Sequence, residues 1–143
     1  MKEQPTFELT DSSKAFYDPR ADVINVPDIK QFEKSGFYYR TTFHEIGHWT
    51  GAKSRLARPG IIEPIESGSD RYAEEELIAE LTSNYLLNVA NVQEDEVMEV
   101  SAGYLKSWIK RLKEDPKIIF RVAPKAQQAT EYILGMKVVN LPL

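Results

Sequence analysis

Two histidines are all this chain contains, and they stand four residues apart with a glutamate directly after the first, as His44-Glu45-Ile46-Gly47-His48. No other stretch constrains the fold as much. Side chains at i and i+4 face each other on a helix, where their Cβ atoms lie about 5–6 Å apart and two imidazoles can reach one ion. A Zn²⁺ ion, with bonds to nitrogen of about 2.0–2.1 Å, accepts that spacing without distorting the helix. On a wheel of about 100° per residue, Glu45 falls about 100° from His44 and about 60° from His48, near the ion yet free to act on a water. The pattern is that of a zinc metallopeptidase, in which the ion acidifies a water and the glutamate takes its proton. Random placement of two histidines and 15 glutamates among 143 positions produces the string in roughly 0.15% of cases, so a metal reading outweighs two stray surface histidines.

Two ligands make an incomplete site. Continuing the pattern along the same helix puts Gly51 in register, but the next required position is Ser54, which cannot serve. The chain has no cysteine and no further histidine, so the third ligand must be a carboxylate. Glu74, Glu75, Glu76 and Glu80 cluster in seven residues, and a cation would relieve their mutual repulsion. With Leu77 at zero on the wheel, Glu76 and Glu80 fall near 260° and 300° on one flank of an apolar stripe, while Glu75, near 160°, lies apart. A helix packed by that stripe against the histidine helix would turn the flank toward the metal. Glu76 is expected as ligand, and Glu80 either orients a histidine N–H or is itself the ligand. Both histidines being committed, a developing oxyanion must find Tyr72, Tyr38, Tyr39 or Arg55. Trp49 and Trp108 read as core residues.

The surrounding chain is one soluble domain: 143 residues, 42% hydrophobic and 28% charged, with no apolar run near the roughly 20 residues of a membrane helix. The N-terminus lacks the apolar stretch of a signal peptide, so a cytoplasmic location is expected and no membrane partner. Residues 1–13 read as a polar tail or linker remnant, and 14–143 as the domain. Lys14–Asp18 and Asp22–Val26 form a hairpin, Asp22–Val26 being an edge onto which an extended peptide could pair. A short helix is expected in 28–35, stopped by Gly36. The histidine helix spans Phe37 to Thr50, with Gly51 as C-cap. A loop over 52–69 leads to a helix from Asp70, its N-cap, to about Ala90, with Leu77, Ile78, Leu81, Tyr85 and Val89 facing inward. Glu94–Leu112 is another helix, burying Val97, Tyr104, Trp108 and Leu112. The last runs from Pro116 to about Leu134, capped by Gly135, with a kink or break near Ala123 imposed by Pro124.

The net charge of −4 hides a division. From Glu63 to Glu99 eleven acids face one base, and from Lys106 to Lys125 seven bases face two acids. Solvated helix faces account for this more simply than a nucleic-acid surface or an acidic mimic of one.

Further strings carry a resemblance. Ala15-Phe16-Tyr17-Asp18-Pro19, Asp22-Val23-Ile24-Asn25-Val26-Pro27, Tyr38-Tyr39-Arg40-Thr41-Thr42-Phe43 running into the histidine motif and Trp49-Thr50-Gly51, Ser54-Arg55-Leu56, Tyr72 to Leu81, and Ser101 to Trp108 resemble the C-terminal metallopeptidase domain of ArdC-type antirestriction proteins. The likeness covers about residues 14–135. It implies an α+β, zincin-like fold with a small N-terminal sheet packed on a mainly helical body. It also implies a Zn²⁺ ion held by two histidines and a glutamate, a protein or peptide substrate, and a setting in mobile elements that shield incoming DNA from restriction. The Glu76-x-x-x-Glu80 spacing is similar to the Glu-x-x-x-Asp of thermolysin-like enzymes. Full-length members carry an N-terminal domain linked to single-stranded DNA binding, so contact with nucleic acid is expected to need a domain this sequence does not include.

Overall fold

A computed structural model describes residues 3–63, 66, 68–92 and 98–135, with side chains left out over 98–105. Three short strands come first: β1 (Thr6–Leu9), β2 (Phe16–Asp18) and β3 (Val23–Val26). The expected hairpin is present, with β2 antiparallel to β3 and Tyr17 opposite Ile24. The supposed tail is not one, because β1 pairs parallel with the other side of β3, Thr6 opposite Val23 and Leu9 opposite Val26. All four β1 residues are exposed, so it is held by backbone hydrogen bonds and leaves no hydropathy pattern to read. With order β1-β3-β2, the Asp22–Val26 run is the central strand rather than an edge. Its Ile24 and Val26 are buried with Trp49 in a small core under the sheet.

After a 3₁₀ turn at Ile29–Gln31 comes α1 (Ser35–Trp49), the histidine helix. Gly36 lies inside its first turn instead of stopping a preceding helix. Thr50 is the C-cap, in right-handed geometry. Gly51 has no left-handed φ. Its lack of a side chain serves packing, since a Cβ there would lie 2.6 Å from Ile61 Cγ1 and 2.9 Å from an Arg58 nitrogen. The following loop holds one short helical turn, α2 (Pro59–Ile62). Next is α3 (Asp70–Val89), whose N-cap is Ser69, its hydroxyl accepting from the Tyr72 N–H, so Asp70 is the first helical residue. α4 (Met98–Glu114) and α5 (Ile118–Leu134) follow.

α3 is the centre of the molecule, and its packing differs from expectation. The apolar residues Leu77 and Ile78, with Leu81 alongside, pack against Ile118, Val122 and Ala126 of α5, and Trp108 joins them. They do not face α1. The opposite arc of α3, carrying Ala79 and Ser83, meets α1 instead: a Cβ on Gly47 would stand 3.1 Å from Ala79 Cα, and Ser83 Oγ donates to the Arg40 carbonyl at 2.8 Å. Small residues on both helices let the backbones approach closely. Tyr85 and Val89, expected inside, are exposed.

Leu112 is likewise exposed rather than inward. Val97 and the Tyr104 side chain lie outside the described residues, as does the start of the helix expected from Glu94. α5 runs unbroken through Pro124 and ends at Gly135, which has a left-handed φ of 66°. The basic helices answer the acidic one: Arg121 pairs with Glu74, and Arg111 with Asp70. Among the described residues no helix is long and apolar enough to cross a membrane.

Candidate metal centre

The close contact of α1 and α3 places four glutamates around the two histidines. His44 Nε2 and His48 Nε2 lie 3.1 Å apart. One Glu76 oxygen is 3.2 Å from His44 Nε2 and the other 3.2 Å from His48 Nε2. One ligand atom from each of His44, His48 and Glu76 falls within 4.8 Å of the others, and the three side chains could hold a metal ion.

The outer ring nitrogens are also engaged. His44 Nδ1 is 3.1 Å from Glu80, and His48 Nδ1 is 3.2 Å from Glu75. A carboxylate accepts only, so each Nδ1 carries the hydrogen, and a neutral ring then turns its Nε2 lone pair inward. Two lone pairs and a carboxylate aimed at one point repel unless a cation stands between them, a proton on His48 Nε2 shared with Glu76 or a metal ion in its place. The donor set therefore fits a divalent ion: two imidazoles and one carboxylate, with no thiolate.

Glu80 thus touches a histidine nitrogen on its outer side, where it is itself paired with buried Arg40. Glu75, expected to lie apart, holds the second imidazole from the opposite edge of the same arc. The arc of α3 that faces α1 is centred on Ala79 and spans Glu75 to Glu80. Arg58, from the loop after α1, supports Glu75 with hydrogen bonds of 2.9 and 2.8 Å. Its only trace in the sequence is a base flanked by Gly51 and the Pro59-Gly60 pair.

Charge in this cluster follows from burial and neighbours. Burial alone would lower the His48 pKa, yet hydrogen bonds to Glu75 and Glu76 and the charge of Glu45 push it up to about 10. Against the opposing effect of burial, the two imidazoles hold the Glu76 carboxyl well below the usual carboxylate range. Glu45 is raised, chiefly by burial, with the nearby histidines opposing. Its Oε2 accepts the Tyr17 N–H of β2 at 2.9 Å.

These groups open onto a cleft of about 730 Å³ between β2 and the first turns of α2 and α3. Phe16, Phe32, Ile61 and Tyr72 give it an apolar rim, and residues 13–17 form one wall. Tyr72 is the one oxyanion candidate on this cleft, and the charge of Glu76 raises its hydroxyl pKa most. Tyr38 and Tyr39 stack on each other edge-on, with centroids 5.3 Å apart, in an aromatic row with Phe32 and Phe43. Arg55 is turned away. Its side chain is shielded from solvent, lies 4.0 Å from the Trp49 ring centroid, and binds Trp49 O, Asp22, Glu3 and Tyr17.

The chain is similar to several known proteins. Residues 3–125 match a family described as zincin-like metallopeptidase, MPTase-PolyVal. A DNA primase TraC of Escherichia coli is 42% identical over 132 residues, covering 92% of this chain and 12% of the primase. The uncharacterized protein y4eC of Sinorhizobium fredii is 36% identical over 121 residues, 85% of this chain and 38% of that one. The Mn(II)-bound crystal structure of the antirestriction protein ArdC from plasmid R388 superposes with a TM-score of 0.71 at 35% identity, covering 92% of this chain and 47% of ArdC. The chain thus spans less than half the length of each of these relatives. The family match takes in all three strands and both helices that frame the histidine cluster, so this chain belongs to the zincin-like metallopeptidase family, as a domain homologous to ArdC.

Proposed function

We propose that the chain is a zinc-dependent peptidase domain that hydrolyses peptide bonds in an antirestriction setting. The observation that carries this is the convergence of both Nε2 atoms and the Glu76 carboxylate within 3.2 Å of one another, beside Glu45 and at the floor of an open cleft. His44, His48 and Glu76 hold the ion, and Glu80 orients His44. A bound divalent ion supplies Lewis acidity, lowering the pKa of a coordinated water and polarising a carbonyl.

The chain's own groups do the rest. Glu45, its Oε2 fixed by Tyr17, takes the proton from the attacking water through its other oxygen and delivers it to the leaving amine. Tyr72 keeps its proton at neutral pH and donates toward the carbonyl oxygen as charge gathers there. An extended protein or peptide substrate lies along the outer side of β2, which faces the cleft, rather than along β3.

Chelation is expected to abolish cleavage of fluorescently labelled casein and Zn²⁺ to restore it, while His44→Ala retains no ion by elemental analysis. Wild-type protein that binds no ion, or cleavage indifferent to the chelator, overturns the proposal. Mn(II), which the ArdC relative binds, suits the same nitrogen and oxygen donors and belongs in that assay. The ion also competes with protons for His48, whose pKa near 10 keeps it charged at neutrality. Binding should therefore release a proton and tighten about tenfold per pH unit between pH 7 and 10, as calorimetry in buffers of different ionisation enthalpy will show.

The names of the relatives favour a second reading: a metal-stabilised antirestriction module that binds protein or single-stranded DNA without hydrolysis. Within the acidic segment Glu63, Asp70 and Glu74 are each paired with an arginine, while Glu94, Asp95 and Glu96, on which mimicry of DNA would turn, lie outside the described residues.

A further inference from the structure

We propose that Arg58 is a positioning residue of the metal centre, acting through Glu75 to aim the His48 ring. The proposal rests on the metal reading above and assigns a task to a residue that reading leaves idle.

Arg58 is 5% exposed and lies behind Glu75, away from the cleft. It therefore cannot touch a substrate lying there. Its Nε and Nη2 grip the two Glu75 oxygens at 2.9 and 2.8 Å. Nη2 also donates to the Gly47 carbonyl, and Nη1 to the Thr50 hydroxyl, each at 2.7 Å. One guanidinium thus ties the carboxylate on α3 to the last turn of α1, the turn that carries His48. A two-pronged grip fixes both carboxylate oxygens in a plane, which a lysine cannot do. Glu75 Oε1 is then held 3.2 Å from His48 Nδ1, and a ring anchored at Nδ1 presents Nε2 in one direction.

Two further observations show that the chain is shaped around this pair. A Cβ on Gly51 would stand 2.9 Å from Arg58 Nη2, and one on Gly60 2.6 Å from Glu75 Cβ. Neither glycine has a left-handed φ, so each is needed for close approach. A buried ion pair is also a poor device for stability alone, because desolvation offsets most of its attraction. Arg40 and Glu80 stand in the same relation to His44 on the other edge of α3, so each imidazole is backed by a carboxylate and each carboxylate by a buried arginine.

The test is Co(II) titration of the whole chain, read by affinity and by the visible absorption bands that report ligand geometry. Arg58→Lys should weaken Co(II) binding about 10- to 100-fold and alter the bands. Val122→Ala, a cavity in the distant α3–α5 core, should lower Tm without either effect. If Arg58→Lys does not fold, the double variant Arg58→Met/Glu75→Gln, which leaves no buried charge unpaired, should fold and show the same loss of affinity. Wild-type affinity and bands in either folded variant overturn the proposal, whatever its Tm. Failure of wild-type protein to take up Co(II) overturns the metal reading itself, and this inference with it.

Discussion

Glu45→Gln should reduce peptide hydrolysis by about 10²- to 10⁴-fold while leaving ion content at the wild-type level. Glutamine has nearly the same shape, and its amide oxygen can still accept the Tyr17 N–H that the carboxylate accepts at 2.9 Å. What it cannot do is take a proton. The three side chains assigned to the ion do not include Glu45, so its charge is not needed for binding. Elemental analysis of the purified variant decides this: loss of the ion makes Glu45 a ligand and the assignment of roles wrong. The same variant separates the two functional readings. If transferred DNA remains fully protected in a restricting host, protection does not depend on hydrolysis. If protection falls along with cleavage, the peptidase is the agent.

Arg55→Met should cost about 3 kcal/mol, a fall in Tm of about 10 °C for a chain of this length, with no change in ion affinity. Methionine retains most of the apolar stem. It loses a charge-assisted hydrogen bond of 2.7 Å to the Trp49 carbonyl and the stacking of the guanidinium 4.0 Å from the Trp49 ring centroid. The ion pair with Asp22 contributes less, because that carboxylate is 46% exposed and recovers its hydration. Arg55 joins the end of α1 to the loop between β2 and β3, so its removal loosens the sheet against the helix and leaves the α1–α3 contact intact. Calorimetric melting of chelated protein checks the first expectation, and metal titration the second.

The histidine helix was legible because i, i+4 spacing has one geometric meaning on a helix, and no proline interrupts the segment. The hairpin and the long α3 were legible from alternation and from a clean start and stop. The partner of α1 was harder to read. An apolar stripe suggests a contact face, and Leu77, Ile78 and Leu81 do make one, but with α5. The face toward α1 is marked by small residues, Ala79 and Ser83, whose transfer free energies are slight and whose importance lies in the space they leave. Reading that arc as the interface would have brought Glu75 in alongside Glu76 and Glu80. β1 escaped notice for a related reason: its stabilisation is all in the backbone, which composition does not record.

Gly47 is the one residue of His44-Glu45-Ile46-Gly47-His48 with no side chain to offer, and it touches Ala79 backbone to backbone. It therefore works as a shim of zero thickness between the helix that supplies the imidazoles and the helix that supplies the carboxylates. Any wider residue would part the two donors' supports by a fraction of an ångström, and a rigid coordination shell tolerates little such play. In this chain the silent fourth letter of the motif is the gauge to which the other letters are set.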